Sequence, residues 1–135
     1  MPDPSIPLGS LNHVALLTTD ARRGEDFYCS VLGFRTVPRP SFSFDGSWLA
    51  HDAVGVMLHL IHRADPVATL GKIDTLNGHF AISCTNIEAA AKSLAQHGVV
   101  FVERKLPDYG YRQLFFRDPD GNLIELGEWP EIPPS

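Results

Sequence analysis

Cysteine is scarce in this chain. Only Cys29 and Cys84 occur in 135 residues, which excludes the disulfide framework of a small secreted scaffold and leaves both as expected buried apolar fillers. A reduced, cytoplasmic protein is the expectation. Long hydrophobic runs are missing too: no stretch approaches the roughly 18 apolar residues that span a bilayer. Met1 to Gly9 holds three prolines and no charged-then-apolar pattern, so no export segment is expected. Positive charge is in deficit, with 11 Lys and Arg against 16 Asp and Glu and a formal net charge of −5. That balance argues against a broad electrostatic grip on nucleic acid or on an anionic membrane. What remains is an apolar fraction of 44%, enough for a packed core, in a chain of single-domain size.

The chain repeats itself. LNHVAL around His13 corresponds to NGHFAI around His79, and HDAVGVMLHL, ending at Leu60, corresponds to RDPDGNLIEL, ending at Leu126. His13 to His79 and His59 to Glu125 are both displacements of 66 positions, and the same shift carries Asp20 onto Asn86, Asp52 onto Asp118 and Gly55 onto Gly121. Two halves follow, about 11–63 and 77–128, joined by Arg63 to Leu76. A unit of about 50 residues buries too little surface to stand comfortably alone. We therefore expect one domain, 1–135, made of two modules that pack on a partner half in the same chain or in another.

Each half reads as strand, helix and three further strands. The openings HVALLT and HFAISC are rich in apolar and β-branched residues. Asp20 and Asn86 suit the position before a helix, where a side-chain oxygen accepts from free first-turn amides. Phe27 with Val31, and Ala90 with Leu94, predict the buried stripe of each helix, and Gly33 and Gly98 its end. Strands are expected near 34–38, 47–51 and 55–62, and again near 99–103, 110–117 and 122–127. Asp118-Pro119-Asp120-Gly121 is a strong turn signal between the last two. The fold class is α+β: two tandem βαβββ modules with helices on one face of mostly antiparallel strands.

Four polar residues sit where apolar ones belong. His59 lies inside VMLHLI and Glu125 inside LIEL, while His13 and His79 stand at the starts of apolar strands. Each alone has a bland explanation as a satisfied edge histidine or a solvent-facing carboxylate. An ionised carboxylate in an apolar setting is otherwise costly unless paired or metal-bound. Together the four occupy equivalent positions on the first and last strands of both halves, so packing about a pseudo-twofold axis would make them converge. Three imidazoles and a carboxylate suit Fe²⁺, Ni²⁺, Zn²⁺, Mn²⁺ or Co²⁺ rather than Ca²⁺. An octahedral ion would keep two sites open for a chelating substrate, whereas a filled tetrahedral zinc site would be structural; the spacing is compatible with both.

At this point the chain resembles the glyoxalase I / bleomycin-resistance / extradiol-dioxygenase superfamily. The likeness runs from about residue 10 to 128 and is carried by LNHVAL, FYCSVLGF, NGHFAI and DPDGNLIEL, while FSFDGSWL is similar to small glyoxalase-I-like proteins. The resemblance implies paired βαβββ modules, a cupped sheet around one divalent ion, and a homodimer in which His13 and His59 of one chain meet His79 and Glu125 of the other. It implies bidentate chelation of a small substrate, with a metal-dependent lyase or isomerase as the first reading and Glu125 as the acid/base. A ring-cleaving Fe²⁺ dioxygenase using His13, His79 and Glu125, a thiol transferase, an epimerase and a non-catalytic binding dimer are the alternatives. His59 stands where glyoxalase I has glutamate and methylmalonyl-CoA epimerase has glutamine. Leu17 and Arg63 replace an arginine and an asparagine of glyoxalase I, the arginine being one that contacts glutathione there. Phe42, Phe44 and Trp48 are candidates for a cavity wall, with Phe44 and Trp48 as substrate contacts, and Arg112 is a candidate for an anionic group. His51, His62 and His97 have no assigned role, and Pro130 to Pro134 reads as a tail.

Overall fold

In the computed structural model, residues 5–65 and 71–133 are described. Pro66 of the connecting segment, Pro134 of the tail and the first four residues lie outside them. Element order is β1 (His13–Thr18), α1 (Ala21–Leu32), β2 (Arg35–Val37), β3 (Gly46–Ala50), β4 (Met57–His62), β5 (Phe80–Ser83), α2 (Ile87–Gln96), β6 (Phe101–Lys105), β7 (Arg112–Arg117) and β8 (Leu123–Gly127). This is βαβββ twice. The strands form two four-stranded sheets, ordered β1-β4-β3-β2 and β5-β8-β7-β6.

Register carries the repeat into three dimensions. The first and last strands of each half run parallel, pairing Ala15 with His59 and, 66 positions on, Ala81 with Glu125. The remaining pairs are antiparallel. Trp48 lies directly across from His59 and Phe115 directly across from Glu125. Each of these two inner-strand polar residues therefore has an aromatic cross-strand neighbour on the same sheet face.

Both helices begin as the capping chemistry predicts. The Asp20 side chain accepts from the Arg23 amide and the Asn86 side chain from the Ala89 amide. Gly33 closes α1 in the left-handed conformation at φ 75°. The second helix ends differently. His97 is its C-terminal cap at φ −85°, and Gly98 supplies the positive φ one residue later. The buried stripe of α1 is also rotated from expectation. Ala21, Gly24 and Tyr28 are its buried residues, while Phe27 and Val31 flank them, partly buried. Gly24 is where α1 comes closest to the sheet: a Cβ there would stand 2.9 Å from Leu60 Cδ1.

Alternation assigns the sheet faces. Leu16, Leu49, Leu58 and Leu60 face α1, and Leu114, Phe116, Ile124 and Leu126 face α2. All eight belong to one buried cluster that also contains Tyr28, Phe34, Ile87 and Leu94. The opposite faces carry His59 and Trp48 in the first half, and Gln113, Phe115 and Glu125 in the second. Cys29 and Cys84 are free and pack partly buried against the cluster.

A polar clasp joins the halves. Tyr28 donates its hydroxyl to Asp118 Oδ2 at 2.7 Å. Asp120 accepts from the Thr18 and Thr19 hydroxyls at 2.6 and 2.9 Å, from the Thr19 amide, and from Arg23 at 2.9 Å. Asn122 donates to the Leu17 carbonyl. The Asp118–Gly121 turn thus caps both its own hairpin and the β1–α1 junction of the other half. Burial pushes the Tyr28 phenol far up, so it remains a donor.

Candidate metal centre

His59 sits in the middle of a stack of rings. The Trp48 indole lies 4.2 Å from it on one side, nearly coplanar in tilt at 5°, and the His13 ring lies 3.9 Å away on the other at 16°. The series continues outward through Phe42, 6.2 Å from Trp48, to Phe44, stacked on Phe42 at 4.9 Å. The Arg39 guanidinium stands over both phenyl rings and donates to the Phe44 carbonyl. Three adjacent strands and the 38–45 loop supply this wall, because Trp48 and His59 are in register and His13 leans across from the neighbouring strand. Phe42 and Phe44 keep 43% and 45% of their surface in solvent, so they lie at the surface rather than in the core.

His59 Nε2 is buried with no hydrogen-bond partner among the described residues. Burial, and then the neighbouring His13, hold this imidazole below its ordinary pKa, so the neutral ring with a bare lone pair is favoured. An unpartnered buried nitrogen costs free energy in a structural role. His13 is oriented by Nδ1, 2.8 Å from Asn12 Oδ1, which leaves its Nε2 unused by that contact.

The second half brings together His79 and Glu125. Glu125 is 2% exposed. Its Oε1 lies 3.2 Å from His79 Nε2, and its Oε2 accepts from the Trp129 indole. His79 Nδ1 lies 2.8 Å from the Asn77 carbonyl. A carbonyl only accepts, so Nδ1 carries the hydrogen. Nε2, turned towards a carboxylate oxygen, is then the atom that either carries a second hydrogen or presents a lone pair. Two acceptors at 3.2 Å need a proton or a cation between them. The Phe115 ring packs edge-on to His79, 5.2 Å away.

The four expected ligands therefore form two pairs, His13 with His59 and His79 with Glu125. Among the described residues, no three His, Cys, Asp or Glu side chains of one chain gather closely enough to hold a metal. The donor set of each pair nonetheless fits a transition metal: Nδ1 of His13 and of His79 is anchored on an oxygen, which is how metal-ligating imidazoles are usually oriented.

Arg112 does not belong to this face. Its guanidinium is held by Glu103 and Glu88 at 2.5 to 2.8 Å. It shares strand parity with Leu114 and Phe116, which face α2, so it lies on the opposite side of the sheet from Glu125. Phe44 and Trp48 do stand beside the imidazole pair. Two residues near Glu125 were not expected from the sequence: Gln113, 7% exposed and on the Glu125 face, and Trp129. Strand parity carries the signal for both. Positions 125, 127 and 129 alternate onto one face, and Gly127 leaves room there for the indole.

The profile of the Glyoxalase/Bleomycin resistance protein/Dioxygenase superfamily matches residues 10–126. The chain belongs to this superfamily. Glyoxylase I 4 from Arabidopsis thaliana is 32% identical over 129 residues, covering 93% of this chain and 74% of the relative. The lactoylglutathione lyase of Shigella flexneri is 28% identical over 125 residues, covering 87% and 91% respectively. A crystal structure of a putative glyoxalase family protein from Bacillus anthracis superposes with a TM-score of 0.73 at 18% identity, over 92% of this chain and 98% of that one; this likeness shows the shared fold.

Proposed function

We propose that the protein is a metal-dependent lyase or isomerase of the glyoxalase type, acting on a small substrate that offers two neighbouring oxygens. One observation carries the reading: His79 Nε2 and the buried Glu125 Oε1 face each other at 3.2 Å while His79 Nδ1 is anchored on the Asn77 carbonyl. A divalent cation between the two would satisfy both, as a proton on the imidazole does without one. The unpartnered His59 Nε2 needs the same resolution. His13, His59, His79 and Glu125 would hold one ion of Fe²⁺, Ni²⁺, Zn²⁺, Mn²⁺ or Co²⁺.

The two pairs lie on separate sheets of the chain, and among the described residues no third donor joins either. The site is therefore assembled between two chains of a homodimer, with His13 and His59 of one protomer facing His79 and Glu125 of its partner. The printed names of two relatives, Glyoxylase I 4 and lactoylglutathione lyase, support the reaction class.

When bound, the ion supplies Lewis acidity towards the two substrate oxygens. The protein's own residues do the rest. Glu125 is the only carboxylate of the set, so it takes and returns the proton that moves between adjacent carbons. His59 occupies the position that a second carboxylate would need for a two-base mechanism, which leaves one base. The Trp48, Phe42 and Phe44 rings form an apolar wall on the His59 side and exclude water there. Leu17, where glyoxalase I has an arginine, removes one cationic anchor for an anionic substrate group.

Elemental analysis tests this directly. The purified protein should carry about one transition-metal ion per chain after incubation with the five candidate metals, and His13→Ala and Glu125→Ala should each lose it. Mixing unfolded-and-refolded His59→Ala and Glu125→Ala chains should restore binding to a fraction of sites, because one of the two sites in a mixed dimer is intact. No metal in the parent protein would sink the enzyme reading. Metal without restoration on mixing would place the site within one chain.

A further inference from the structure

Trp129 stands beyond the last strand, yet its place is fixed. The β7–β8 ladder continues one residue past β8, with the Glu128 amide donating to the Arg112 carbonyl at 3.0 Å. Strand alternation then points position 129 onto the Glu125 face. The Ser83 hydroxyl reaches the Trp129 carbonyl at 3.4 Å, tying the segment to β5. The indole lies over Gly127 and donates to Glu125 Oε2. Gly127 is the residue that permits this. A Cβ there would meet the indole at 2.5 Å and Glu125 Oε2 at 2.9 Å. Trp129 keeps 36% of its surface in solvent, whereas the carboxylate beneath it keeps 2% for its residue. Core packing alone does not call for a ring so exposed, on a glycine, bonded to a buried carboxylate.

We infer that Trp129 is a positioning residue for Glu125. Its N–H takes one lone pair of Oε2 and so favours Oε1, the oxygen facing His79, as the donor to a cation. A carboxylate with both oxygens free rotates and offers either or both. Here the indole fixes the carboxylate plane and its donor atom. The inference rests on the metal reading proposed above. It adds that the segment after β8 is a strap that sets the affinity of the site, by the same outer-shell hydrogen bonding that orients ligating groups elsewhere.

The test measures Zn²⁺ affinity of the full-length protein by competition with a chromophoric chelator. Trp129→Phe keeps an aromatic ring and removes the donor. Loss of such a partner typically costs about 10- to 100-fold in metal affinity, and that is the expected fall. Gly127→Ala should act in the same direction by displacing the indole, and it serves if Trp129→Phe folds poorly. A second readout uses emission. In a Trp48→Phe background Trp129 is the remaining tryptophan, and its fluorescence should change saturably with Zn²⁺, at the midpoint seen by competition in that same variant. Unchanged affinity in Trp129→Phe would overturn the inference, and so would tighter binding, which would make the indole a competitor of the ion. Absence of Zn²⁺ and of every other candidate metal from the parent protein would overturn the metal reading instead.

Discussion

Displaced by 66 positions, the two halves share topology and the pairing of their parallel strands, and they finish their open faces in opposite ways. In the first half that face is a row of partly exposed rings ending on an imidazole nitrogen with no partner. In the second half the corresponding face is closed: Gln113, Phe115, Leu123, Glu125 and Gly127 are all buried, and Trp129 lies across the last two. The same division holds at the junctions between halves. The Asp118–Gly121 turn is sewn by hydrogen bonds to Thr18, Thr19 and Tyr28. Its counterpart, the turn after His51, carries Val54 where the other carries Asp120. A repeated fold therefore does not repeat its energetics. One half carries the polar clasp, and the other carries a buried nitrogen with no hydrogen-bond partner among the described residues.

The largest contrast is expected at equivalent aspartates. Asp118 is 6% exposed and accepts from the Tyr28 hydroxyl, the Asn122 side chain and the amides of Asp120 and Asn122. Asp52, its counterpart, meets Arg35 alone among the described residues, at 3.1 Å on the surface. Asp118→Ala strands a buried tyrosine hydroxyl and amide donors, at about 3 kcal/mol of stability. Asp52→Ala should stay within about 0.5 kcal/mol. Urea unfolding of the two variants measures the difference; equal losses would mean the clasp does not hold the halves together.

A smaller effect of opposite sign is expected at His59. In metal-stripped protein, His59→Phe keeps a ring between His13 and Trp48 and removes the orphaned nitrogen. It should stabilise the protein by about 1 kcal/mol while abolishing metal binding. The same experiment on a residue kept for packing alone would show a loss. Destabilisation of the stripped protein by His59→Phe would therefore argue that His59 serves the fold and not a ligand.

The repeat made the module plan, the equivalent strand positions of His59 and Glu125 and both N-terminal helix caps legible, because each depends on spacing or on a local hydrogen bond. What stayed illegible depends on side-chain direction. The α1 stripe turns on which residue lets the helix approach the sheet, and Gly24 does so against Leu60. Arg112 was expected at the site, but one residue of strand register decides the face, and its parity puts it with Leu114. Trp129 was hidden by a tail reading of Pro130 to Pro134. The strand parity of Glu125 and Gly127 continues into it, but a sequence pattern does not say that the ladder runs one residue further.

The most delicate contrast lies inside the clasp, between Asp118 and Asp120. Burial raises the Asp118 pKa above its ordinary 3.8, in spite of its hydrogen bonds. At Asp120 burial also pushes upward, but the bonds from Thr18 and Thr19 and the charge of Arg23 outweigh it and the net shift is downward. Linkage gives the two opposite signs. Asp120, depressed in the folded state, contributes stability that is present above 3.8 and is lost as pH falls through its lower folded value. Asp118, raised, contributes stability that is present below 3.8 and is lost as pH rises through its higher folded value. Asp120→Asn removes only the first contribution. The variant should be less stable than the parent at neutral pH, and the gap between them should close as pH falls below 3.8. Urea unfolding at a series of pH values from neutral downwards measures that gap. A gap that stays constant would mean that Asp120 acts through hydrogen-bond geometry alone, and that its charge, paired with Arg23, adds nothing to the joint between the halves.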